Sequence, residues 1–403
     1  MTRDHARAFR GESGIAMPLT LIALVVLGAL MIAFAVLAQS EPMIAANQHR
    51  GAVARALAES GLERAVWALT AGRAVNGGVD PPANGVLAGS PYDGGTYFAI
   101  GGGFPLGGFT LKITGLSMTE VAIEAVGWTP DNTSTGNAHR KITANLMRFP
   151  NFGLEAPCAL CVKGDLEVKG SSTIDARSDT SCGRKHGTYT AGGTSILDAG
   201  SIWGAVDGND TRNETTDIAI NAPAANFDRF TLSAQHLAVL KRTARTDGTY
   251  IGPGSPAAGA ASWTGTVTFN ASNPITRNGV VFVDTISGNL PLADNPADYA
   301  NVDFQGGAFS MGDFHGWVIV MGNVTAFDAS GPIQGLLYVM NDVTSNSGSA
   351  SVNGLVVAQN LNDTNGSQTD ATISFNCSNA NGAGTIPTGW FLVAGTYKEI
   401  SGR

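Results

Sequence analysis

Gly316-Trp317-Val318-Ile319-Val320, Gly335-Leu336-Leu337-Tyr338-Val339 and Gly354-Leu355-Val356-Val357-Ala358 are three versions of one phrase, set at two successive steps of 19 residues. An apolar residue stands two positions before each glycine (Phe314, Ile333, Val352), and a small or turn-forming one six positions after it (Gly322, Asn341, Asn360). Strand and turn at a constant period describe a parallel β-solenoid, in which each repeat buries its apolar column on its neighbour. Hairpins of a β-sandwich would also supply short apolar strands, but they need not keep one spacing. Stacking predicts two columns, Trp317 over Leu336 over Leu355 and Val320 over Val339 over Ala358.

Working outward, Gly279-Val280-Val281-Phe282-Val283 precedes Gly316 by 37 residues, which reads as two coils. A fainter echo is Ala159-Leu160-Cys161-Val162-Lys163-Gly164-Asp165-Leu166, with Ile174 where the next face would start. A solenoid-like domain is therefore expected over 157–403. It is interrupted near 224–243, where Phe230, Leu237 and Leu240 recur at helical spacing and predict a helical insertion covering an edge or face. Upstream, short runs at 96–100, 109–114, 121–128 and 140–147 alternate with period two, Leu111 and Ile113 against Thr110, Lys112 and Thr114. They predict a small antiparallel sheet over 96–150. A Gly/Pro/Asn-rich linker at 73–95, with Pro81-Pro82 and Asn84-Gly85, precedes it.

The chain opens on a different signal. Residues 15–38 form an uncharged run of 24, about 36 Å long as a helix and enough to cross a bilayer core of about 30 Å. A cleaved signal peptide would carry an apolar stretch of roughly 7 to 15 residues ending at a small-residue cleavage site. Here the run continues into polar, helix-forming sequence over 39–72, with Val53, Leu57, Leu62, Val66 and Leu69 along one face and Arg55, Glu59, Glu63 and Arg64 mostly off it. One long helix is expected, bent near Pro42, which lacks a backbone donor. The fold class is then α+β, mostly β: a long hydrophobic and amphipathic helix, a small antiparallel sheet, and a β-solenoid-like domain.

The leader ending in Gly14, the apolar run, Glu41, Ala46-Asn47, Arg50 and the block Ala58-Glu59-Ser60-Gly61-Leu62-Glu63-Arg64-Ala65 make residues 1–70 resemble the type IV pilin-like proteins, and among them the minor pilins called PilX-like. The resemblance implies cleavage after Gly14 of the 1–14 leader by a membrane prepilin peptidase and methylation of the new terminus, Ile15. Gly11 suits less, since Glu12 and Ser13 would then precede the apolar run. It also implies an α/β roll and partners in the membrane and in other pilin-like subunits. The implied location is a single-pass inner-membrane protein with an extracytoplasmic head, or the pilus after assembly. The fifth position after the cut departs from the pattern: major pilins carry glutamate there and this chain has Leu19, which favours a tip or accessory subunit. A pseudopilin of a type II secretion system would share the helix and differ in its partners.

Composition narrows the remaining options. A net charge of −8 with no Lys/Arg cluster argues against nucleic acid as a partner, and 52 glycines among 403 residues suit turn-rich β structure. Cys158 and Cys161 have CxxC spacing, and His186 near Cys182 makes Cys158, Cys161, Cys182 and His186 a conceivable zinc set. Cys161 and Cys182 lie 21 apart, close to one coil, so a disulfide among Cys158, Cys161 and Cys182 in an oxidising compartment is the simpler expectation. Asp207, Asn209, Asp210, Glu214 and Asp217 only partly imitate a calcium loop and read as a solvated turn. Solenoids also host polysaccharide lyases and hydrolases, for which Asp284, Asp303, Asp313 and Asp342 are the candidate carboxylates. None of them pairs with Lys or Arg within the repeat, and His139, His186, His236 and His315 are dispersed. No enzyme, cofactor or metal is expected, and no residue pattern specifies a surface or carbohydrate ligand.

Overall fold

The computed structural model describes residues 16–71, 89–101, 106–116, 119–134, 136–196, 200–208, 211–255, 262–328, 331–345, 350–362, 367–382, 384, 386 and 389–400. Two compact units divide the chain, one formed by residues 1–146 and 392–403, the other by 147–391.

The first unit is built on one helix, Ala16–Ala71, which continues through Pro42. Its second half packs on an antiparallel meander of strands Asp93–Ile100, Gly107–Gly115, Glu120–Thr129 and Ala138–Arg148. Leu111 and Ile113 are buried and pair with Ala125 and Ile123, while Lys112 and Thr114 beside them are exposed. The buried stripe of the helix differs from the expected one. Ala54, Leu57, Ala58, Gly61, Ala65, Ala68 and Leu69 are buried, whereas Val53, Leu62 and Val66 are only half-buried at its margins. Small residues win because the backbones lie close: a Cβ on Gly127 would run into the carbonyl oxygen of Ala54, and one on Gly61 would stand 3.0 Å from the Ala125 methyl. The chain's last segment, expected in the 157–403 domain, instead joins this sheet, with Lys398–Ile400 antiparallel to Ala138–Arg148.

The second unit is mostly parallel sheet. Gly316, Gly335 and Gly354 are directly paired, as are Trp317, Leu336 and Leu355, and Val320, Val339 and Ala358, so both expected columns exist. The glycine column is steric. A Cβ on Gly335 would strike the carbonyl oxygen of Gly316, and Gly316 itself sits at φ +146°, where a side chain is strained. Gly279 pairs with Gly316 as an immediate neighbour, so the 37-residue interval is one step rather than two. The extra length is an excursion carrying the single strand Ala300–Phe304, which lies between Thr266–Phe269 and Gly322–Phe327 in a separate three-stranded sheet. A second three-stranded sheet holds Ser367–Thr369, Leu166–Val168 and Thr194–Ile196. All three sheets share one core, with Val318 and Leu337 from the large sheet, Val302 and Val324 from the first small one and Leu166 and Val168 from the second. Among the described residues the large sheet has eleven strands and is open rather than closed.

The other face of the large sheet is also buried. Phe282, Trp317, Ile319, Leu336, Tyr338 and Val357 form a second cluster with Phe227, Phe230, Leu237 and Leu240. These last come from the insertion, a 3-10 helix Ala224–Phe230 and an α-helix Ala234–Asp247 that starts in a capping box at Ser233 and stops at left-handed Gly248. The insertion therefore covers a face. Burial on both sides explains why the repeat strands are apolar throughout instead of alternating.

Periodicity gives no hint of where the first repeat sits. Cys158–Val162 inserts between Ser351–Ala358 and His186–Thr190, with Leu160 opposite Val356 on one side and Thr188 on the other. Ile174 likewise lies between Ile373 and Ile202.

Val339 is fully buried between Val320 and Ala358. Val339→Asp is expected to destabilise the second unit by about 4 kcal/mol or more through an unpaired buried carboxylate. Calorimetry of the full chain would show its transition lowered or lost, and an unchanged transition would contradict the stacked columns.

Candidate functional site

The most extended exposed apolar surface among the described residues is the first half of the long helix. Its apolar side chains have no cover in the monomer: Met17 is 75 %, Ile22 63 % and Phe34 68 % exposed. The helix is long and apolar enough to cross a membrane. Leu19, at the position that departs from the pilin pattern, belongs to this exposed face at 63 %. Gly14 and Ile15, the expected processing residues, lie outside the described residues. Farther along, Arg55 Nε bridges to Glu59 at 3.0 Å and to Glu399 at 3.5 Å, tying the helix to the C-terminal strand of its own unit. Arg64 stacks on Trp67, with its guanidinium carbon 4.5 Å from the ring centre.

The four candidate carboxylates of the second unit are not gathered into one site. Asp284 is 2 % exposed and held by Lys241 of the insertion, by the Tyr250 hydroxyl at 2.8 Å and by the amide of Thr285 at 3.0 Å. Its cationic partner thus comes from outside the repeat, where spacing within the repeat gave no sign of it. Arg245 donates to the Tyr250 hydroxyl at 3.1 Å, and burial raises that phenol's pKa. The group is a satisfied polar network that pins the insertion to the sheet. Asp303 takes a hydrogen bond from Gln305 at 2.7 Å, Asp342 takes one from Asn341 at 3.2 Å, and Asp313 is exposed. Asn301, Asn323 and Asn341 form a ladder, with Asn323 donating to Asn301 at 3.0 Å and Asn341 donating to Asn323 at 2.8 Å.

The histidines are separated as well. His139 stacks beside Trp128, His186 Nδ1 lies 2.8 Å from the carbonyl oxygen of Thr216, and the amide of His315 donates to Asn278. Asp207 accepts from Thr216, and Asp217 is buried with amides of Gly204 and Glu214 on its carboxylate. Asn209 and Asp210 of that turn are outside the described residues. Among the described residues no group of three or more His, Cys, Asp and Glu is placed to hold a metal ion.

The cysteines pair as Cys158–Cys161 and Cys182–Cys377. Cys182 does not face Cys161, because the residue stacked on Cys161 is Tyr189, 28 positions on rather than 21. With all four sulfurs bonded, no thiolate is left for the conceivable zinc set, and His186 has turned to a carbonyl. Cys377 had no sequence signal of its own. Two buried basic side chains also stand out. Lys185 donates to the Leu154 carbonyl at 2.9 Å, and burial lowers its pKa to about 8. His236 holds the Arg148 carbonyl at 2.7 Å through Nε2 and takes the Ser233 amide at 3.1 Å on Nδ1, and burial lowers its pKa to about 4.

No protein-family model and no curated protein matches the chain. Among solved structures, the chain is similar to the competence-associated pilin ComZ from Thermus thermophilus at 12 % identity and a TM-score of 0.27, over 87 % of this chain and 97 % of that one. It is also similar to an ice-binding protein from the Antarctic ascomycete Antarctomyces psychrotrophicus at 13 % identity and a TM-score of 0.19, over 57 % of this chain and 99 % of that one. Likeness at these TM-scores carries no argument about function.

His236 gives the second unit an acid limit. Its ring is neutral when folded, with a pKa of about 4 against 6.5 for the free side chain, so the unfolded chain binds the extra proton between those values. Stability from this residue is complete above about pH 6.5, falls as the pH drops and levels off below about 4, a loss of up to about 3 kcal/mol. Denaturant titrations at pH 7, 5.5 and 4 would show this slope, and His236→Gln would flatten it.

Proposed function

We propose that the chain is a non-enzymatic, minor pilin-like subunit, PilX-like in its first 70 residues, that works in a type IV pilus or related filament. The observation that carries this reading is the single helix Ala16–Ala71, whose first half is exposed and apolar while its second half is packed on an antiparallel sheet. An element built in this way joins two environments. One half needs a cover of lipid or neighbouring helices, and the other is already covered by its own unit. Packing of such helices draws on apolar burial, at roughly 25 cal/mol per Å² taken out of water and less when the surroundings exchanged are lipid.

In this reading a prepilin peptidase removes residues 1–14, Ile15 becomes the methylated terminus, and the protein spans the inner membrane once until it enters the filament. Leu19 favours a tip or accessory place, since it lacks the carboxylate that would pair with a neighbour's terminal amine. The second unit is read as an open β-solenoid displayed outside the membrane for contact with a surface or partner. Its 19-residue repeat and the shared core of its three parallel sheets support that description. The non-enzymatic character draws support from Asp284, whose carboxylate is occupied by Lys241, Tyr250 and a backbone amide.

Mass spectrometry of the amino terminus tests the proposal. In cells expressing a prepilin peptidase the mature chain is expected to begin at N-methylated Ile15. A chain still beginning at Met1 would overturn it.

A further inference from the structure

We propose that the second unit joins its first strands to its last only when oxidised, and that the Cys182–Cys377 disulfide serves this junction. Elsewhere in the large sheet, neighbouring repeat strands follow one another in the chain, as Gly316, Gly335 and Gly354 do at steps of 19. At this junction the partners are far apart: Leu160 faces Val356, Leu166 faces Ser367, and Ile174 faces Ile373. Contact there is divided into three runs of three paired residues, Leu160 to Val162, Leu166 to Val168 and Thr173 to Asp175. Phe314–Val320, by contrast, is paired with Ile333–Val339 along its whole length.

All four cysteines of the chain gather at this junction. Cys161 is paired with Val357 in the inserted strand and bonded to Cys158, both fully buried. Cys182 crosses to Cys377, a link between residues 195 positions apart. Polar ties surround that link: the Cys377 amide donates to Asp179 at 2.8 Å and the Ser178 hydroxyl to the Phe375 carbonyl at 2.7 Å. Cross-linking here turns a distant encounter into a local one, which is where a disulfide restricts the unfolded chain most.

Opening requires a dithiol reductant. The Cys182–Cys377 S–S bond breaks, each sulfur takes one electron and one proton to become a thiol, and the reductant leaves as its own disulfide. Re-forming the bond is the reverse exchange with a disulfide-bearing partner. Resting on the proposed reading of an exported protein, the junction forms on arrival in an oxidising compartment.

Hydrogen exchange with mass spectrometry on the full chain in detergent tests this, comparing wild type, Cys182→Ser/Cys377→Ser, and wild type reduced with dithiothreitol after folding. Amides of 160–175 and 367–374 are expected to exchange at least tenfold faster in the double variant, while those of 316–320 and 335–339 keep their rates. Unchanged exchange at 160–175, or equal acceleration across 316–339, would overturn the proposal. If the variant does not accumulate, folded wild type with Cys182 and Cys377 shown by alkylation to be reduced takes its place. Faster exchange confined to 160–175 and 367–374 then supports the junction, and either of the other two patterns overturns it.

Discussion

Pairing strands that lie nearly two hundred positions apart is the constraint on which the second unit depends. Leu160 must find Val356 across a loop about ten times longer than the 19-residue step between repeats. That difference costs about 2 kcal/mol of additional loop entropy. The pairing that follows is short, so it is set against this cost together with the side chains under it. Val162, Leu166 and Ile174 from the first strands share the core with Val356, Ala358 and Ile373 from the last. A bond from Cys182 to Cys377 acts on the same encounter from the unfolded side.

A second consequence follows from how the large sheet is covered. Its inward face packs against two smaller parallel sheets, and its outward face packs against the helical insertion and the aromatic residues Phe149 and Phe152, which meet Trp317 edge-on at 5.8 and 5.2 Å. A parallel sheet dry on both faces tolerates no polar row, and the large polar side chains at its centre find partners. The Trp317 indole donates to the Ala380 carbonyl at 3.1 Å, and the Tyr338 hydroxyl accepts from the Leu232 amide at 3.0 Å. Asp284 is the extreme instance, a buried charge kept by Lys241 and Tyr250 of neighbouring segments. Breaking one partner would strand a charge.

Much of this is readable in the chain. Period two in 109–114 marks the buried Leu111 and Ile113, and the 19-residue spacing foretells the columns through Trp317 and Val320 because in-register stacking converts sequence period into contact. Helical spacing of Leu237 and Leu240 finds the insertion and its buried side. Less legible are features that depend on distance between backbones. Val53, Leu62 and Val66 look like the packed face of the long helix, yet Ala54, Ala58 and Ala65 occupy it, since hydrophobicity ranks side chains by size while close approach selects the small ones. The 37-residue interval reads as two steps because spacing counts residues and cannot tell an excursion from a turn.

Local physics sets what sequence alone determined: the uncharged run that makes the first half of the helix apolar and long enough to cross a membrane, the strand-and-turn period, and the glycines at 316, 335 and 354, each fixed by neighbours a few residues away or by one repeat. Tertiary structure decided the rest. It placed Cys158–Val162 beside Ser351–Ala358, sent Cys182 to Cys377, gave Asp284 its cation from the insertion and returned Lys398–Ile400 to the first sheet. Each of these joins segments tens to hundreds of residues apart. Such pairings are chosen by which surfaces can be buried together, and no periodicity within either segment records the choice.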